Sequence, residues 1–166
     1  TASAWWLRSS LDLWSNFQYC LNDYAATGTC DTGDQFKQSE RRTAGGFSAA
    51  HTVYDRWGGF EVANSFGVDG RIDHINPVGL YNTQRRVTWN TVREDVVTQR
   101  NLSLWAQNET RWNDWFRSQV GLRGDAYDFT VDASLPANSG KASDQMVTPK
   151  LALIFGPWQR TEFYLN

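Results

Sequence analysis

The hydrophobic pattern repeats every two residues over segments of ten residues and more, and this limits the chain to long β-strands with two unlike faces. Over residues 60–73, Phe60, Val62, Phe66 and Val68 occupy even positions, whereas Glu61, Asp69, Arg71 and Asp73 occupy odd ones. Over 115–127, Phe116, Val120, Leu122 and Ala126 are even, and Arg117, Arg123 and Asp125 are odd. Over 101–111, Leu102, Leu104 and Ala106 stand opposite Trp105, Gln107, Glu109 and Arg111. Residues 5–20 set Trp5, Leu7, Leu11 and Leu13 against Arg8 and Asp12. Weaker alternation over 40–54 and 147–155, and a clear one over 161–166, bring the expected total to about seven strands, with no helix.

Soluble strands are usually 5–6 residues long. A strand that crosses a bilayer needs about ten, of which only every second one meets lipid. Such a chain has an ordinary hydropathy, here a mean of −0.57. The longest apolar run, residues 151–155, falls far short of the roughly 20 residues of a helical span. A net charge of −2 leaves no electrostatic footprint for nucleic acid. The chain opens on Thr1 and stops within a strand-like segment, so we expect a section of a longer chain, residues 1–166 forming one partial domain.

The connections alternate in length. Stretches of about 20 residues at 20–38 and 74–95, and a polar one at 131–145, alternate with tight turns at 55–58, 112–115 and 156–160. In an antiparallel meander this puts every long loop at one end, the asymmetry of outer-membrane barrels, with the first strand running toward the cell exterior. Trp57, Phe60, Trp112, Trp115, Phe116, Trp158 and Phe163 crowd the tight turns, while Phe17, Tyr19, Tyr127 and Phe129 fall near the opposite strand ends. Amphipathic rings favour the headgroup zone, and two girdles are expected. The expected fold is therefore all-β: an antiparallel up-and-down meander of about seven long strands, part of a transmembrane β-barrel.

Three stretches resemble the barrel domain of TonB-dependent receptors. They are residues 116–135 (Phe-Arg-Ser-Gln-Val-Gly-Leu-Arg-Gly-Asp-Ala-Tyr-Asp-Phe and onward), residues 102–112 with Trp105-Ala106-Gln107-Asn108-Glu109, and residues 148–166 with Thr148-Pro149-Lys150-Leu151 and Phe163-Tyr164-Leu165-Asn166. The resemblance implies an outer-membrane receptor of a Gram-negative bacterium, not an enzyme. It implies active uptake of a scarce nutrient such as a ferric siderophore, cobalamin, haem or an oligosaccharide. The implied partners are outer-membrane lipid, TonB, a plug domain and a small-molecule ligand at the extracellular loops.

On this reading Asp12, Glu61, Asp69, Glu109, Arg111, Arg117, Arg123 and Asp125 face the lumen, where they form charge ladders or touch ligand or plug. Tyr81, Arg85, Arg86, Trp89 and Arg93 put aromatic and cationic groups on a long loop, which suits an anionic or sugar-like ligand; ordinary loop packing is the alternative. Cys20 and Cys30, with nine residues between them in the first loop, suit a loop-closing disulfide in an oxidising compartment. His51 and His74 stand alone, without a nucleophile at motif spacing. Ser139-Gly140-Lys141 lacks the upstream Gly and following Ser or Thr of a phosphate loop. No catalytic, metal or cofactor site is expected. Two other readings compete: a passive porin-type barrel, and a soluble β-sandwich that binds carbohydrate.

Overall fold

The computed structural model describes residues 1–31 and 33–166. Among them, seven strands form one antiparallel sheet in sequence order. The strands are β1 (Ala2–Ser15), β2 (Phe36–Trp57), β3 (Phe60–Gln84), β4 (Val87–Asn113), β5 (Phe116–Ala133), β6 (Gly140–Trp158) and β7 (Thr161–Leu165). Every strand pairs with its sequence neighbour, and the sheet is open, with β1 and β7 at its edges. This is the expected meander, built almost wholly from local hairpins.

Three connections at one end are two-residue turns: Gly58-Gly59, Asp114-Trp115 and Gln159-Arg160. Gly58 and Gly59 have φ of 59° and 92°, the left-handed conformation that two-residue hairpin turns favour. At the other end the expected loops change shape. Residues 74–95 are strand, because β3 and β4 continue to a tight turn at Arg85-Arg86, whose φ angles are 50° and 67°. The period-two pattern loses this stretch for a physical reason. Register shifts at Ile75/Val78, Leu80/Tyr81 and Asn82/Thr83 each slide the side chains to new faces. The third loop shrinks to residues 134–139, which hold a 3₁₀ turn at Pro136–Asn138.

The first connection, residues 16–35, contains a short helix, α1 (Leu21–Thr27), where none was expected. Gly28 ends it in the left-handed conformation and donates its N–H to Tyr24 O. Seven residues are too few to write a 3.6-residue period into the sequence.

The two faces of the sheet differ in kind. Ala44, Asp73, Ser103, Asp125, Ala152 and Ile154 are buried on one face. On the other, Phe47, Phe66, Ile72, Leu102, Leu104, Val120, Leu122, Val147 and Leu151 are all exposed. At Gly67 an added Cβ would fall 2.6 Å from the Trp105 ring, which lies across the bare backbone from the next strand.

Candidate functional site

Register decides which side chains share a face, because directly opposed residues point the same way. Glu61 opposes Arg111, Asp69 opposes Ser103, Arg111 opposes Arg117, and Ser103 opposes Asp125. Glu61, Asp69, Glu109, Arg111, Arg117, Arg123 and Asp125 thus lie on one face. The structure draws most of them into pairs. Arg123 bridges β3 and β5 by reaching Asp69 at 3.0 Å and Asp125 at 3.1 Å. The Ser103 hydroxyl donates to Asp125 at 2.5 Å. Arg117 reaches Glu162 at 3.0 Å, and Gln119 donates to Glu109 at 2.7 Å. Buried Asp73 takes Arg71 at 2.5 Å and Arg42 at 3.1 Å. Glu61 and Arg111 pair more loosely, with Arg56 at 3.5 Å and Asp114 at 3.8 Å.

Asp12 departs from that group. It opposes Ser39, and the unbroken β1–β2 register carries this parity down to Phe47 and Ala49. Ala49 in turn opposes Val68. Asp12 therefore sits on the apolar side of the sheet, while Leu7, Leu11 and Leu13 take the ion-paired side. The reason is height. Ala2 begins level with Ala49, so β1 pairs only with the upper part of β2. There the outer side of the sheet has left the apolar band and carries Lys37, Arg41 and Asp12 instead.

That band has a measurable height. On the apolar face it runs from the row of Val62, Thr110 and Ser118 to the row of Ile72, Arg100 and Asp128. Ten residue steps at about 3.3 Å, tilted by about 45°, give roughly 23 Å, against about 25 Å for the apolar belt of membrane barrels. Aromatic rings mark its turn end: Phe60 with Trp112 at 5.1 Å, Phe116 with Phe155 at 5.1 Å, and Trp115 with Trp158 at 6.3 Å. The opposite girdle is composed differently from expectation. Tyr127 and Phe129 stack on each other but oppose Asn101 and Gln99, on the ion-paired face. Trp6, 69% exposed, and Phe47, 47% exposed, mark the upper edge of the apolar face.

The five loop candidates are split by the sheet. Tyr81 opposes Lys37 on the outer side, and its hydroxyl donates to Glu94 at 2.7 Å. Partial burial, and then this hydrogen bond, push the phenol up to about 12. Lys37 lies 5.4 Å from the Trp14 ring and 5.6 Å from that of Tyr81, and Arg86 lies 5.4 Å from Trp14. Asp12 accepts from Arg41 at 2.5 Å and Ser39 at 2.8 Å and pairs with Lys37 at 2.9 Å; these bonds, Arg41 first, hold its carboxyl well below the usual carboxylate range. Arg93 stands 3.9 Å from Asp95, and Arg85 occupies the turn.

Trp89 alone among the five lines a cleft at the loop end, a hollow of about 460 Å³ that also includes Phe17, Phe36 and Asn82. Ser15, Phe36 and Asn82 stand level and share the face of Arg42 and Ala44, so the cleft opens on the ion-paired side. The first connection is docked against it. Gln35 accepts from the Thr83 hydroxyl and from the Arg86 N–H, and the Gln84 side-chain amide donates to Asp31 O. Cys20 and Cys30 are bonded across the base of this connection, with their Cα atoms 5.7 Å apart. The sequence pattern did not reveal this cleft, since Phe17, Phe36 and Asn82 come together only through pairing distant in the chain.

Strands this long, with one face exposed and apolar and the other knitted by charge, define the wall of a transmembrane β-barrel. The match to a family model agrees and goes further: the model for TonB dependent receptor-like, beta-barrel covers residues 1–166. The chain belongs to this family, whose members serve outer-membrane, TonB-dependent transport. No curated relative matches the chain.

Proposed function

We propose that this chain is wall from a receptor that takes up a scarce nutrient across the outer membrane of a Gram-negative bacterium. The turns Gly58-Gly59, Asp114-Trp115 and Gln159-Arg160 face the periplasm, and the disulfide-closed connection and the β3–β4 tip face the exterior. The ion-paired side faces an aqueous lumen beside a plug domain, and TonB supplies the work. The observation that carries this reading is the exposed apolar band of roughly 23 Å on one face only. A soluble sandwich would bury such a face against a second layer, and among the described residues no second layer covers it. Family membership favours a gated receptor over a passive pore.

The test uses the whole receptor in its own cell. It should fractionate with outer membranes and require detergent for extraction, and nutrient-limited growth that depends on it should vanish when TonB is removed. Extraction without detergent, or growth indifferent to TonB, would refute the proposal.

A further inference from the structure

We propose that the loop-end cleft binds an uncharged, hydroxyl-rich ligand, a neutral oligosaccharide, through the rings of Phe17 and Trp89 and the amide of Asn82. The inference rests on the uptake reading and narrows its nutrient class. Three observations support it. Phe17 is 81% exposed and Trp89 is 54% exposed, so two flat apolar surfaces stand open at the rim of a polar hollow. Sugar rings offer apolar C–H faces between their hydroxyls, which suits them to such platforms. Asn82 lines the same hollow, half-buried and without a side-chain hydrogen bond among the described residues, with both a donor and an acceptor to give.

The charge of the cleft excludes the main alternative. Among the described residues no Lys or Arg lines it, whereas Asp23 and Asp34 do. Asp34 accepts from the Asn22 and Asp23 N–H groups, at 2.8 and 3.1 Å, and Asp23 accepts from the Gly33 N–H at 2.9 Å, so backbone hydrogen bonds fix both carboxyl groups at the wall. Register sends the nearby Lys37 and Arg41 to the other side of the sheet, and the Arg86 guanidinium lies over Trp14, which opposes Lys37 there. An anionic ligand, such as a ferric catecholate or a carboxylated macrocycle, would meet like charge here, which costs affinity. A neutral glycan meets rings and amides.

The experiment applies the purified whole receptor in detergent to an array of neutral gluco-, xylo-, manno- and galacto-oligosaccharides, with acidic glycans and a ferric tris-catecholate as anionic probes. Retention on at least one neutral series is expected. Trp89→Ala and Phe17→Ala should each weaken it by about tenfold or more, as loss of an aromatic anchor does. Trp89→Phe, which keeps a ring, should retain most of it and guards against misfolding as the explanation. Retention on no neutral series, retention only of anionic probes, or neutral binding unchanged by both alanine variants would overturn the proposal. If no neutral series is retained while TonB-dependent growth on some other nutrient persists, the sugar falls and the uptake reading stands. Loss of outer-membrane association removes both.

Discussion

Leu122 is the sharpest place to test which side of the sheet meets lipid. It lies six residues beyond Phe116, the first residue of β5, which puts it about 14 Å above the turn for a strand tilted by about 45°. That is close to the middle of a belt about 25 Å tall. Its side chain is exposed among Phe66, Leu104 and Leu151 on the apolar face. Leu122→Arg places a guanidinium at the midplane, where such a charge costs about 2–4 kcal/mol. Gln119→Lys on the same strand is the control. Gln119 faces the other way and already donates to Glu109 at 2.7 Å, so a lysine there gains a counter-ion and should change stability by less than about 1 kcal/mol. The assay is urea unfolding of the whole receptor refolded into lipid vesicles, followed by tryptophan fluorescence, with the midpoint and slope separated. A Leu122→Arg variant as stable as parent, or a control that loses more than it does, would refute the face assignment and with it the barrel.

Three further outcomes are expected. Arg123→Ala removes the partner of Asp69 and one partner of buried Asp125, and should lower stability by about 1–2 kcal/mol. A double-mutant cycle with Asp69→Asn should return a coupling of about 0.5–1 kcal/mol, and a coupling of zero would show the bridge to be idle. Cys20→Ser or Cys30→Ser opens a loop whose closure is worth about 2–3 kcal/mol and should make residues 16–35 protease-sensitive in the assembled receptor, with the membrane-embedded strands untouched. Asp12 has a folded pKa held below its ordinary value by Arg41 and Lys37, so its stabilisation is present at neutral pH and is lost as pH falls through the lowered value. Amide exchange in the upper part of β1, corrected for intrinsic rate, should quicken below about pH 4. Asp12→Asn should show the faster exchange at neutral pH and no such acid step.

The strand count, the meander and the two-faced wall were legible in the chain because they depend on local facts. Alternation with period two, turn residues between runs and hairpin pairing of neighbours require no knowledge of distant contacts. Glu61, Asp69, Glu109, Arg111, Arg117, Arg123 and Asp125 fell on one face because β3, β4 and β5 keep register through that stretch. Leu11 and Asp12 could not be placed in that way. Their alternation is as clean as any, yet parity shows only that two faces differ, and the height of β1 against β2 decides which medium each face meets. The stretch 74–95 was hidden for a related reason: each register shift restarts the count, so three of them erase the period.

The cleft at the loop end belongs wholly to tertiary structure. Trp89 was conspicuous as a loop tryptophan, but Phe17, Phe36 and Asn82 reach it from three other segments, and what gathers them is the docking of the disulfide-closed connection on the β3–β4 tip. The order of residues is enough to give this chain a wall with one apolar and one charged side, because side-chain direction along a strand is set by the backbone pleat. Which cations stand beside which ring was decided only when neighbouring strands paired, because a shift of one residue between strands moves every following side chain to the other side.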